Sequence, residues 1–330
     1  MALPLSGIMG IMQESAFGVE GSPPAAFDGL IRESLAMRNN LIPGLSRSTM
    51  PQYVIPGTVT AGGGISLGFQ PEGIVPWLFK GLFGSVSSVQ AAPGVFDHSF
   101  IAGTTRRLPS FTFRVDDGTT TQLWLGCTVK FAGFTFSGND AVELNAELVS
   151  QRPHAAGGAP ATPVYSGISP WAGHHLAFSL NGVTHTDFEQ FTLLFENDIE
   201  PVFTHNQTRW AARHYLRSFN TAGSVTLRFS SDAERRRLWG AINADQPQRV
   251  VQPGTVSLAA THPEEAAPGY NYSFSASFPE IYYESTSEDI VHLPDFILQR
   301  IQFTPVSGDS RGSIVDVTIR NSVPGYPDPS

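Results

Sequence analysis

Gly64-Ile65-Ser66-Leu67-Gly68-Phe69 recurs 160 residues later as Ser224-Val225-Thr226-Leu227-Arg228-Phe229, and this pair of segments decides how the chain is read. In both, apolar residues alternate with small or polar ones, the period of a half-buried strand. The same shift superposes Leu78 on Leu238 in the segment that follows each strand. Upstream, Phe27 to Gly44 matches Phe188 to His205 at a shift of 161. Downstream, Phe111 and Phe113 match Tyr272 and Phe274 at 161, and Phe134 and Phe136 match Ile301 and Phe303 at 167. Elements recurring in one order at nearly one spacing point to internal duplication. The expected organisation is a first copy over 1–150, a linker over 151–163 containing His154-Ala155-Ala156-Gly157-Gly158-Ala159-Pro160, and a second copy over 164–330.

The remaining periodicity is also mostly two. Phe111-Thr112-Phe113-Arg114-Val115 alternates, as do Val142, Leu144, Ala146 and Leu148 against Glu143, Asn145 and Glu147. Near the end, Val315, Val317 and Ile319 stand opposite Asp316, Thr318 and Arg320. The fold class is therefore mainly β. Two short helices interrupt it. One runs from Pro71-Glu72 to Gly84, with Pro76 an awkward member. The other spans 232–243, where Ser231 and Glu234 have capping-box spacing.

Among 330 residues, 20 Lys and Arg face 29 Asp and Glu, a formal charge of −9. Phosphate binding needs cations, so this balance argues against a nucleic-acid clamp, though not against a surface past which DNA slides unbound. Charged residues make up only 15% of the chain, which suits surface reserved for protein contacts or long neutral loops. The single cysteine, Cys127, closes no intrachain disulfide and builds no structural zinc site; its run Leu123 to Val129 reads as a buried strand. The first basic residue is Arg32 and the best apolar run, Ile74 to Phe79, is short, so neither a standard secretion signal nor a membrane span is expected.

Chemistry-bearing motifs are few. Gly64 to Gly68 formally spells G-x-S-x-G, but Ser66 lies inside an alternating strand where a nucleophile elbow needs a strand-to-helix turn. His174, His175 and His185 with Asp187 nearby are a transition-metal ligand set in type. On an alternating strand, however, the adjacent His174 and His175 point to opposite faces, so ordinary surface histidines are expected. Asp116-Asp117-Gly118 reads as a hairpin turn before a calcium loop. The only basic run, Glu234-Arg235-Arg236-Arg237, fans its arginines around a helix and makes no DNA-facing stripe. No catalytic, cofactor or metal residue is assigned, and no enzyme activity is expected.

Two long irregular segments, 38–60 and 203–222, precede the repeated strands. They carry Arg38, Arg47, Met50 and Tyr53 in the first, and Arg209, Trp210, Arg213, Tyr215 and Arg217 in the second, a mixture favoured at protein interfaces. Glu143 and Glu147 are either the wet face of a strand or, in a closed ring of strands, an inward face that repels phosphates.

Gln13-Glu14-Ser15-Ala16-Phe17-Gly18, Ala61-Gly62-Gly63-Gly64-Ile65-Ser66-Leu67, Gly81-Leu82-Phe83-Gly84, Leu108-Pro109-Ser110-Phe111-Thr112 and Gly126-Cys127-Thr128-Val129 together resemble the phage tail tube protein family of long noncontractile tails, in a two-domain form. The resemblance implies two tandem β-sandwich domains, each with a flanking helix, whose sheets join neighbours into a continuous inner barrel. Single-domain members form hexameric rings, so a duplicated chain implies a homotrimeric, pseudo-hexameric ring. Rings stack into a virion tail tube, assembled in the host cytoplasm. Partners implied are the chain itself, a tape measure protein in the lumen, tail-tip and tail-terminator proteins at the ends, and DNA in transit without specific binding. The segments 38–60 and 203–222 fall where the loop to the adjacent ring belongs, making Arg38, Arg47, Tyr53, Arg209, Trp210, Arg213, Tyr215 and Arg217 the expected inter-ring contacts. Glu143, Asn145, Glu147, Asp316 and Thr318 are the expected lumen-lining residues. The competing class is a soluble β-sandwich binding module, such as a carbohydrate-binding tail appendage; a hydrolase on a β scaffold lacks convergent acid and base groups.

Overall fold

The computed structural model describes residues 7–21, 25–44, 53–102, 106–116, 120–138, 140–155, 162–185, 188–204, 208–228, 233–239, 245–249, 251–289, 298–307 and 313–327. The fold is mainly β, antiparallel throughout, as the period-two pattern requires. The first half runs β1 (Ile8–Gln13), β2 (Ala26–Gly29), β3 (Arg32–Glu33), β4 (Ala36–Gly44), β5 (Tyr53–Gly68), α1 (Val75–Phe83), β6 (Gly84–Ala92), β7 (Val95–Ala102), β8 (Phe111–Asp116), β9 (Thr121–Ser137), β10 (Glu143–Ser150) and β11 (Arg152–Ala155). The second runs through a short turn of 3-10 helix (Gly173–His175), then β12 (Leu176–Leu180), β13 (Val183–His185), β14 (Phe188–Val202), β15 (Arg213–Arg228), α2 (Ala233–Leu238), β16 (Gly254–Ala267), β17 (Tyr270–Asp289), β18 (Leu298–Pro305) and β19 (Asp316–Asn321). The expected linker thus begins as strand β11, hydrogen-bonded to β9; 156–161 lies outside the described residues.

One pairing order occurs twice. In the first half β4-β5-β10-β9 are neighbours, and β9 also carries β8, β1 and β2 in turn. In the second half β14-β15-β18-β17 are neighbours, and β17 carries β16, β12 and β13. β11 and β19 likewise extend β9 and β17 on the edge already used by β10 and β18. Against this order, the sequence matches downstream of α1 are displaced by one strand: β8 stands where β16 stands, β9 where β17 stands, and β10 where β18 stands. The cause is the β6–β7 hairpin, which follows α1 and has no counterpart among the described residues after α2, and which breaks any single shift.

β9 and β17 are long enough to belong to two layers. Their second halves sit in an eight-strand sheet, β4-β5-β10-β9-β14-β15-β18-β17, and their first halves in covering sheets behind it. Gly126, at φ 62, interrupts β9 between those halves, a conformation that costs a glycine little. Its N–H donates to Glu14 Oε1 (2.7 Å). The core between layers spans both halves of the chain: Phe69 stacks on Phe134 (4.5 Å) and meets Trp171 (4.8 Å) and Phe274 (5.1 Å).

α1 is buried along its whole length in this core. Pro76 is accommodated because it lies in the first turn, where its missing N–H would find no intrahelical acceptor. Asp28 of β2 accepts the Ile74 N–H (2.5 Å) and the Gln70 amide, and burial pushes its carboxyl up to about 7. Gly84, at φ 85, closes the helix. α2 lies within the expected 232–243 helix; 231–232 and 240–244 lie outside the described residues.

Of the two segments read as irregular, 38–44, 53–60 and 213–222 are extended strands instead, whereas 203–204 and 208–212 are irregular as expected; 45–52 and 205–207 lie outside the described residues. β4 and β5 pair from Ala36↔Gly62 out to Gly44↔Tyr53, and β14 and β15 continue pairing to Val202↔Arg213. Pro43, Pro56, Gly57 and Asn39-Asn40 suggested loop, but the β-branched Ile42, Val54 and Ile55 keep the chain extended and the ladder satisfies its backbone groups. Both arms shift register at one level, between Asn39 and Leu41 and between Asp198 and Ile199.

Candidate functional site

The wet face of the eight-strand sheet is set by alternation. In β10, Leu144, Ala146 and Leu148 are buried, which turns Glu143, Asn145 and Glu147 outward. The Ser66 hydroxyl donates to Asn145 Oδ1 (2.5 Å), so Ser66 is a strand residue on this face and no nucleophile partner is brought to it. Glu147 pairs with Lys130 (2.9 Å), and on the neighbouring strands Glu200 pairs with Arg217 (2.7 Å) and Glu189 with Arg228 (2.8 Å). These pairs are half-exposed and contribute little stability each. Glu143 and Glu196 form no ion pair among the described residues.

Asp316 and Thr318 do not share this face. They lie on β19, whose neighbours are the first half of β17 and β7, in a covering sheet. The strand that occupies the place of β10 is β18. Carried through the pairings Ile65↔Ala146 and Val225↔Ile301, Arg300 and Gln302 stand where Asn145 and Glu147 stand. They were missed because the β6–β7 insertion misaligned the second copy by a strand.

Most arm residues are already engaged within the chain. Arg209 Nε donates to the Gly57 carbonyl (2.6 Å) and Nη2 to Asn39 Oδ1 (3.0 Å), tying one arm to the other. Trp210 is half-buried against the core, Arg213 lies over the Tyr215 ring (4.7 Å), and Arg217 holds Glu200. Arg38 pairs with Thr60 in the first arm, and Tyr53 is half-exposed at the start of β5. Arg47 and Met50 lie outside the described residues.

At the base of the second arm His214 is buried beside Thr128 Oγ1 (2.8 Å) and Phe17, and its Nε2 has no hydrogen-bond partner among the described residues. Burial pushes the imidazole down to about 4. Between pH 6.5 and 4 the unfolded chain therefore takes up a proton the folded one refuses. Stability falls as pH drops through that window, by up to about 3 kcal/mol from this group. Denaturant unfolding at pH 7 and pH 4.5 should show His214→Leu losing about 2 kcal/mol less on acidification than the parent chain. Identical losses would refute the assignment.

His174 and His175 sit in the 3-10 turn, not on a strand, with their rings in edge contact (4.3 Å). Asp187 lies outside the described residues, and among those described no three His, Cys, Asp or Glu side chains cluster as metal ligands. Cys127 is fully buried and its thiol is pushed far up by burial, which leaves it inert. Asp116 pairs with Thr121 across the β8–β9 connection; Asp117 and Gly118 lie outside the described residues.

The most distinctive surface is a pair of open strand edges. β9 takes β10 on one edge and, over Phe131–Ser137, β14 on the other. The second half of β17 takes β18 on one edge and, among the described residues, nothing on the other. Among the described residues β3 and β4 likewise pair with β5 alone. On the same hairpin Met37, Leu41, Ile42, Val54 and Ile55 are each about half exposed. The family model described as phage tail tube protein matches residues 6–305. The chain belongs to the phage tail tube protein family. It is thus a structural tail protein, of a family that assembles into a tube and forms part of the virion tail. A search of curated proteins returned no match. No helix is long and apolar enough to cross a membrane among the described residues.

Proposed function

We propose that three chains close head to tail into a pseudo-hexameric ring, that rings stack into the tail tube, and that the tube conducts DNA with the wet face of the eight-strand sheet as its lining. The observation that carries this reading is the β9–β14 junction inside one chain. There Ala132 opposes Phe195, and both are buried. The recurring pairing order supports an origin by duplication, and it gives both residues counterparts. Ala61↔Met37 and Thr221↔Phe195 make Met37 the counterpart of Phe195. Ala146↔Ala132 and Ile301↔Thr286 make Thr286 the counterpart of Ala132. Phe195 is fully buried whereas Met37 is 49% exposed, as expected of a junction whose other side belongs to a second chain. The edge of β17 would then meet β4 of the next chain with Thr286 opposite Met37 and Ser285 opposite Arg38, which removes both open edges at once.

Opposed residues in such a pair have Cβ atoms about 4.5–5.5 Å apart, close enough for an engineered disulfide after small adjustment. The double variant Met37→Cys, Thr286→Cys should therefore oxidise to a covalent three-chain circle on denaturing gels. Rings seen by electron microscopy that stay uncrosslinked would reject the register.

On the same reading the wet face becomes the lining. Carboxylates such as Glu143 and Glu196 repel phosphates and keep a passing duplex from adhering. Phage carrying Glu143→Lys and Glu147→Lys should assemble tails of normal length but deliver DNA several-fold more slowly, and unchanged delivery would count against this face as the lumen.

A further inference from the structure

The ring has two kinds of junction, and they differ in the covering layer. Inside the chain, the outer edge of β19 is covered by β7 over six register pairs, from Asp316↔Ile101 to Asn321↔Phe96, with β6 beyond it. β11 holds the corresponding place in the first half, continuing β10 along β9 as β19 follows β18 along β17. Yet β11 pairs with β9 alone among the described residues. The strand that covers β19 comes from the segment after α1, reaching from the first half of the chain into the second. The segment after α2 leads out of the second half, beside which the ring reading places the first half of the next chain.

Resting on that ring reading, we infer that residues 245–249 and 251–253 of one chain lie along the outer edge of β11 of its neighbour and seal the junction in the covering layer. These residues are exposed and make no strand within the chain. Pro247 and Pro253 lack the N–H a ladder needs and the Gln248 N–H already donates to the Trp239 carbonyl (2.6 Å), so pairing falls to the described residues after Gln248, alongside the four residues of β11. Covering β11 in this way also hides an edge otherwise open to unspecific pairing.

The test mixes two full-length single variants, His154→Cys and Val251→Cys, allows assembly and oxidises. Hydrogen exchange is followed in parallel on the parent chain, before and after assembly. A disulfide between the two variants, with exchange at 152–155 and 245–253 slowed at least tenfold in rings, is the expected result. Rings that protect 34–38 and 285–289 but leave 152–155 and 245–253 exchanging as in the single chain, with no disulfide, would overturn this inference and leave the ring reading standing. No rings under any condition would overturn both.

Discussion

A chain ending at Asn321 should lose at least about 4 kcal/mol of stability or fail to accumulate in soluble form, although it keeps every strand. The reason is Lys80 on α1, which is 1% exposed. Its ammonium donates to the Tyr326 and Pro327 carbonyls (2.9 and 2.8 Å) and to Gln13 Oε1 (2.9 Å). Removing the C-terminal strap strips two of those acceptors from a buried charge. It also uncovers Trp77, against which the buried Tyr326 ring packs edge-on at 5.1 Å. The discriminating measurement is denaturant unfolding of the truncated chain with and without Lys80→Met. Methionine fills a similar volume without charge, so it should recover about 2 kcal/mol in the truncated chain and cost stability in the intact one. Equal destabilisation in both backgrounds would show that lost packing, not the stranded ammonium, is the cause.

Glu14→Ala should cost about 3–5 kcal/mol, more than any single surface change. The Glu14 carboxylate is 4% exposed and accepts from four donors: Gly18 N–H (2.8 Å), Ser110 Oγ (2.7 Å), Thr112 Oγ1 (2.9 Å) and Gly126 N–H (2.7 Å). It thereby ties the turn after β1 to β8 and to the glycine at which β9 passes from one layer to the other. Glu14→Gln retains one acceptor oxygen and should cost about half as much. Because Gly126 aims the second half of β9 at β14, unfolding should lose cooperativity between the two halves of the chain. A Glu14→Ala chain within about 0.5 kcal/mol of the parent would remove this carboxylate from the account of the bend.

Several of these features were legible without coordinates. The alternation around Leu144, Ala146 and Leu148 announced which side of β10 is wet, because a residue and its second neighbour share a face of any strand. The burial of Cys127, the strand setting of Ser66 and the first helix followed from equally local rules. The strands around Arg38 and Arg217 were misread because proline, glycine and asparagine signal turns locally, while an extended hairpin is held by a partner strand the local signal does not contain. His174 and His175 were placed on a strand for the same reason. The histidine burial at position 214 depends on Thr128 and Phe17, residues far away in the chain, and no pattern near it says so.

The sequence by itself determined the period, and with it the mainly antiparallel β class, the wet and dry faces of each strand, and the kinship with phage tail tube proteins, since these depend on residues at fixed small spacings or on short motifs. Tertiary structure alone decided which strands are neighbours. That choice moved the counterpart of β10 from Asp316 and Thr318 to β18, gave β7 to the second half of the chain, and left the edges of β4, β11 and β17 without a partner strand among the described residues. Backbone hydrogen bonds carry no residue identity, so a strand advertises that it will pair but not with which partner; only the packing of the whole core selects it.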